Sequence, residues 1–170
     1  MTDERRYMDP PERVAQASRD LIKDGKERDY RDQITGFPTR EDGSYPMWVN
    51  HLEEGDVSVA VPFHGRTERR NGETVFLDVW AEEARLAAED PHGDLAALVA
   101  HEAVSLAAWQ VDAAHGKGKV EWHVSTPEGT QFIREVLDAY GYHVVDVQFT
   151  PHVMPDGRWV VSGDHWIMRG

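Results

Sequence analysis

The spacing of apolar and polar positions changes period along this chain, and each change marks an element. Residues 57–80, VSVAVPFHGRTERRNGETVFLDVW, hold two apolar runs, VSVAVPF and TVFLDVW, rich in β-branched and aromatic side chains. Asn71-Gly72 lies between them, which predicts two antiparallel strands joined by a tight turn. Both runs are apolar at almost every position, so both strands are expected to be covered on both faces. Downstream, KVEWHV, a helical stretch and HVVDVQF follow one another. Strand, helix and strand in that order imply a parallel pair with a crossover. Antiparallel and parallel pairing together predict a mixed sheet.

Helical periodicity fills most of the remainder. Asp9-Pro10-Pro11-Glu12 reads as a helix start, followed by Val14, Ala17, Leu21 and Ile22 at helical spacing, with Gly25 as the stop. KERDYRDQ predicts a second helix, ending near Gly36. Residues 39–45 read as a loop, and MWV begins the sheet. AEEARLAAED is helical and stopped by Pro91. Asp94 caps the longest helix, residues 95–114, with Leu95, Leu98, Val99, Glu102, Leu106, Trp109 and Ala113 on its buried face. Ser125-Thr126-Pro127-Glu128 is a capping box for a helix that runs to Tyr140. The tail predicts a hairpin at residues 155–157. These elements make an α/β protein: a single domain (residues 28–170), a mixed β-sheet flanked by helices, and an N-terminal helical extension (residues 1–27).

Two polar residues break the apolar runs, His64 at the end of the first and Asp78 inside the second. A carboxylate in a strand fit for burial needs a partner, a metal or a solvated cleft. Asp78 is therefore the first candidate for chemistry.

Composition narrows the classes. The 170 residues carry 18 basic against 31 acidic side chains, a net charge of −13, and 40% are hydrophobic. Residues 51–100 are the most acidic part, with 4 basic against 11 acidic, a balance that repels phosphate backbones and suits a soluble acidic protein or docking onto a basic partner. No run is long and apolar enough for a bilayer, and MTDERRYMDPPERV has no signal-peptide core, so a cytoplasmic protein is expected and no membrane partner. Cysteine is absent, which removes disulfides and thiolate chemistry. His101-Glu102 starts like the helical zinc motif, but Ser105 stands where the second histidine belongs. No nucleotide-binding glycine loop and no serine-hydrolase elbow occur. Trp48 and the other tryptophans are expected mostly in the core.

YRDQITGFP near Tyr30, Gln110 in AWQVDAAHGK, VEWHVSTPEGTQFIREVLDAYG and VQFTP together resemble the fifth family of restriction-endonuclease-fold toxin domains, which sit at the ends of bacterial polymorphic toxins. The resemblance spans residues 28–151, and its C-terminal half carries most of the weight. It implies a PD-(D/E)xK core, in which two carboxylates hold Mg²⁺ and a lysine activates water at a phosphodiester. Carried over by position, His64 stands where the family has Asp, Asp78 where it has Glu, and Trp80 where it has Lys. Gln110 matches a supporting glutamine, and His123 a family histidine. A nitrogen in place of a charged oxygen suits Zn²⁺ or Mn²⁺ better than Mg²⁺, and an indole cannot serve as an ammonium. Another register would bring in Glu53, Glu54 or Asp56. No lysine lies between Lys26 and Lys117.

Three readings follow from the resemblance. The first is a catalytically degenerate nuclease-fold domain that needs no cofactor and acts by binding a protein in a toxin, injection-system or defence setting. An injection system of that kind would export it without a signal peptide. The second is an active DNase using Mg²⁺ or Mn²⁺ at a migrated site around Asp78, the one reading with a nucleic-acid partner. The third is a small-molecule or Zn²⁺ pocket between His64, Asp78, Gln110 and His123, with Asp78 and His64 as metal ligands.

Overall fold

The computed structural model describes residues 26–154, 156–162 and 165–168. Helix α1 (Lys26–Thr35) comes first and is stopped by Gly36, whose φ of 73° lies in the left-handed region that glycine tolerates. The helix expected between Asp9 and Gly25 lies outside the described residues.

The 57–80 stretch contains an Asn-Gly hairpin, but its strands pair differently from the expectation. VSVAVPF is β2 (Val57–Phe63), and it pairs antiparallel with β1 (Trp48–Glu54) across a turn at Gly55. The Asn71-Gly72 turn instead joins a four-residue strand, β3 (Gly65–Glu68), to β4 (Thr74–Trp80). Arg69 N–H donates to the Glu73 carbonyl at 2.9 Å to close it. Gly65 and Arg66, which read as part of the turn, start a strand. The two apolar runs also differ in burial. Residues 75–80 of β4 are all buried, whereas β2 is exposed over much of its length and buries chiefly Val61 and Phe63.

A helical pair follows, α2 (Glu82–Glu89) and α3 (Asp94–Ala114), and returns the chain to β5 (Lys119–Val124) beside β4. Helix α4 (Pro127–Ala139) crosses to β6 (Asp146–Phe149), and β7 (His152–Val153), β8 (Arg158–Ser162) and β9 (His165–Met168) form a small antiparallel sheet. The central sheet has the order β3-β4-β5-β6, with β3/β4 antiparallel and β4/β5 and β5/β6 parallel. The protein is thus a mixed α/β domain, as the pattern predicted. Thr126 caps α4 by accepting from Gly129 N–H at 3.1 Å; Ser125, the first residue of the expected capping box, is not the cap.

Successive residues of β4 point to opposite faces. Phe76 and Trp80 join Ala84, Ala103, Leu106, Trp109 and Trp122 in the main core, between the sheet and α2, α3 and α4. Val79 meets Tyr30 of α1 on the other side. Helices therefore cover both faces of the sheet. On α3, every residue from 103 to 110 is buried, while Leu95 and Leu98, expected on its inner face, are exposed, and Ala96 and Val99 are the buried residues of the first turns. Trp48, expected in the core, is 43% exposed. No helix among the described residues is long and apolar enough to cross a membrane.

Helix α1 is clasped to the far end of the chain. Tyr30 Oη–H donates to the Thr150 carbonyl at 2.8 Å, and Gln33 donates to the Pro151 carbonyl and accepts from Val153 N–H. YRDQ and FTP, the two ends of the sequence resemblance, meet here.

Candidate functional site

The site is built on the face of β4 that carries Asp78. In the sheet register Asp78 lies beside Trp122, and His64, one residue before β3 begins, lies beside Asp78 on the other side. His64 Nδ1 contacts Asp78 Oδ1 directly. Val79 N–H is shared between His64 Nδ1 at 3.1 Å and Asp78 Oδ1 at 3.0 Å. From α3, Gln110 Nε2 donates to Asp78 Oδ2 and to the Pro62 carbonyl at 3.1 Å. Gln110 Oε1 in turn accepts from Trp122 Nε1–H at 2.8 Å. Gln110 is fully buried and Asp78 4% exposed, so this polar chain stands among apolar side chains with its hydrogen bonds made inside the protein.

Trp80 shares this face and is sealed in the core. Its ring centroid lies 5.3 Å from that of Trp122, at 38°, and its indole N–H has no hydrogen-bond partner. The space reached from the lysine position of the resemblance is filled with indole.

His123 does not join the cluster. It pairs with Val79 in the register, and therefore points to the face opposite Asp78. The expected pocket between His64, Asp78, Gln110 and His123 is divided by the sheet, a consequence of odd and even strand positions. On its own face His123 sits in a second network, with Nε2 2.7 Å from Glu121 Oε1 and Nδ1 2.7 Å from Thr150 Oγ1. Arg69, from the β3–β4 turn, contacts Glu121 Oε2. Burial raises the Glu121 pKa, but the His123 hydrogen bond and the His123 and Arg69 charges outweigh it and hold the carboxyl below its ordinary value. Glu121 and His123 occur at i and i+2 in KVEWHV, a spacing that puts them on one face; that signal was in the sequence.

Glu83 gave no such signal, since AEEARLAAED reads only as a helix stopped by Pro91. In the fold it is 6% exposed, with Oε1 accepting from Ala81 N–H at 3.3 Å and Oε2 without a partner. Burial pushes its carboxyl up to about 7; its own and the Ala81 backbone N–H oppose the rise, as does the charge of His64, while Glu102 adds to it. The Tyr30 hydroxyl is raised as well, first by burial and then by the Glu83 charge.

As a holder for a hard divalent cation the Asp78 centre is a poor fit. One carboxylate oxygen faces His64 and the other Gln110, so neither is free to bind an ion without breaking a buried hydrogen bond. Among the described residues no group of three or more His, Asp or Glu is arranged to hold a metal. The outward side of His64 lines a cavity of about 260 Å³ together with Phe37, Met47, Trp48 and Arg66. The Tyr45 ring lies 6.2 Å from the imidazole.

No protein-family model, curated protein or solved structure matches this chain.

Proposed function

We propose that this domain is a relative of the restriction-endonuclease-fold toxins whose metal–lysine centre has become a buried structural lock, and that it acts by binding a protein. The observation that carries this reading is the engagement of both Asp78 oxygens, by His64 and Gln110, on a strand face where the Trp80 indole is packed into the core. A phosphodiesterase of this type needs a carboxylate open to the cation and an ammonium near the attacking water. Here the carboxylate serves its neighbours and the ammonium is replaced by packed indole.

Protein binding is supported by the exposed apolar side chains of Phe37, Met47 and Trp48, which meet around one cavity outside His64. Large exposed apolar groups gathered in one place mark interaction sites. The acid-rich middle of the chain disfavours nucleic acid as the partner.

The test is a plasmid-nicking assay with Mg²⁺ and with Mn²⁺, on the parent domain and on Asp78→Asn checked for folding. No cleavage by the parent above background is expected. Cleavage by the parent that disappears in a folded Asp78→Asn protein would establish the active DNase instead.

A further inference from the structure

The face of the sheet opposite Asp78 carries a second line of hydrogen bonds, and the order of its groups is chemical. Glu121 and His123 stand two residues apart on β5, and β6 runs beside them into Thr150. His123 Nε2 lies 2.7 Å from Glu121 Oε1, and His123 Nδ1 lies 2.7 Å from Thr150 Oγ1. Although burial raises the Glu121 carboxyl, its contacts with His123 and Arg69 hold it below its ordinary value. An ionised carboxylate only accepts, so Nε2 is the nitrogen that donates. The neutral ring then presents its Nδ1 lone pair to the Thr150 hydroxyl, which donates to it. A hydroxyl, an imidazole that can take its proton and a carboxylate that fixes the tautomer are the three parts of an activated nucleophile.

The backbone holds Thr150 in place for such a role. Its N–H donates to the Val124 carbonyl at 3.0 Å, and its carbonyl accepts from Tyr30 Oη–H at 2.8 Å. Pro151 follows, with a fixed φ and with its carbonyl accepting from Gln33. The chain on both sides of the hydroxyl is thus tied to β5 and to α1, and the oxygen keeps its position beside His123. The topology points to the same place. Strands β4, β5 and β6 run parallel, His123 lies near the C-terminal end of β5, and Thr150 lies just past that of β6. Open α/β sheets place their sites at those strand ends.

This line reaches the surface, unlike the one at Asp78. Thr150, His123 and Gln148 are partly exposed, and the Arg69 side chain is 45% exposed. Gln148 pairs with His123 in the register and therefore shares its face. Its Nε2 donates to Asp146 at 2.8 Å and carries a second N–H, and the Arg69 guanidinium has N–H groups beyond the one on Glu121. An amide and a cation on the face of the hydroxyl are the kind of donors that an oxygen turning negative needs. A carbonyl carbon suits an uncharged oxygen nucleophile whose proton is taken as it attacks. The threonine methyl crowds that attack, which favours small acyl groups.

We propose that Thr150, His123 and Glu121 form an acyl-transfer site that hydrolyses small carboxylic esters. Thr150 Oγ1 bonds to the ester carbonyl carbon while its proton passes to His123 Nδ1. The tetrahedral adduct then breaks its bond to the alcohol oxygen, and the alcohol leaves with that proton. Water adds to the acyl-threonine, giving a proton to His123 Nδ1; the carboxylic acid departs as Thr150 takes that proton back. Glu121 is a positioning residue that holds the imidazole, and Arg69 keeps Glu121 ionised. The site lies on the other side of the sheet from Asp78 and is independent of the protein-binding reading.

The experiment uses the full chain with p-nitrophenyl acetate, following nitrophenolate release and mapping any protein-bound acetyl group by mass spectrometry. The parent should release nitrophenolate above the buffer rate and carry acetyl on the Thr150 oxygen. Thr150→Val and His123→Asn, checked for folding by thermal unfolding, should each lower the rate at least about 100-fold. Thr150→Ser keeps the hydroxyl without the methyl and should be at least as fast, so a valine variant that fails to fold leaves the question decidable. Glu121→Gln should lower kcat about tenfold or more and leave KM in place. His143→Gln, at an exposed histidine away from β5, should match the parent. No release above buffer, acetyl mapped to lysine, a folded Thr150→Val or a Glu121→Gln protein as fast as the parent, or activity lost with His143, would each overturn the proposal. The nicking assay reads the Asp78 face and this assay the Thr150 face, so either can fail alone.

Discussion

On one face of the central sheet Asp78 meets His64; on the other, Glu121 meets His123 one strand along. Each carboxylate is about 4% exposed, and each is held by an imidazole and one longer side chain. The longer partners make the difference. Gln110 comes from the middle of a buried helix, is neutral, and has both ends of its amide engaged. Arg69 comes from a surface turn, and its side chain is 45% exposed. The Asp78 group is therefore closed by the core, whereas the Glu121 group is closed by a residue that water reaches. Similar pairs of side chains make a structural lock in one place and a surface-tied brace in the other, according to what covers them.

Trp80→Lys probes the closed face most severely. It takes an indole out of the Trp122 contact and puts an ammonium into an apolar site, so a loss of about 4 kcal/mol or more is expected in urea unfolding, with no nicking activity gained. Recovery of metal-dependent cleavage would mean that the centre needs only its lysine. Gln110→Ala should cost about 3 kcal/mol, because it strands the Trp122 N–H and one Asp78 oxygen and leaves a cavity. A loss below about 1 kcal/mol would show that the polar chain is not tightly closed.

Glu83 supplies a pH test beside the same face. The folded domain keeps a proton on it up to about pH 7, whereas the unfolded chain releases that proton near 4.5. Between those values the folded state binds more protons than the unfolded one, so this group lowers stability as the pH rises from 4.5 to 7, by roughly 3 kcal/mol in full. Glu83→Gln should match the parent near pH 4.5 and exceed its melting temperature at pH 8. Parallel stability curves for the two proteins would contradict the burial argument. Glu121 has the opposite sign: its carboxyl is depressed, so its contribution is present at neutral pH and fades as the pH falls through and below the usual carboxylate range. Arg69→Ala, the smallest effect, should cost at most about 1 kcal/mol and shrink further in high salt. A larger, salt-independent loss would make the two faces alike.

Much of the element order was legible in the chain because it rests on local rules. The 3.6-residue period, the helix stop at Gly36, the Asn71-Gly72 turn and the apolar run of β4 each act within a few residues, and the structure has them. Strand partners were less legible. VSVAVPF is as fit to pair with TVFLDVW as with its own upstream neighbour; the nearer partner won because the Gly55 turn closes a shorter loop. Asp78, His64 and Gln110 come together in the fold, from β4, the residue between β2 and β3, and helix α3. His123 was set beside them by its presence in a matching motif, and strand parity sends it to the other face. Glu83 was hidden, since only packing shows that α2 turns that carboxylate inward.

The sequence by itself determined most of the described helices and strands, and that β4 carries a carboxylate into apolar surroundings. Those outcomes depend on backbone preference and on periodicity, which nearest neighbours specify. Only the tertiary structure decided that Asp78 has both oxygens engaged, that Trp80 is sealed against Trp122, and that His64 turns outward to a cavity without acids. These depend on residues 14 to 42 positions apart meeting at hydrogen-bond or ring-contact distance, from His64 to Asp78 and from Trp80 to Trp122, and no local rule in the chain fixes such a meeting.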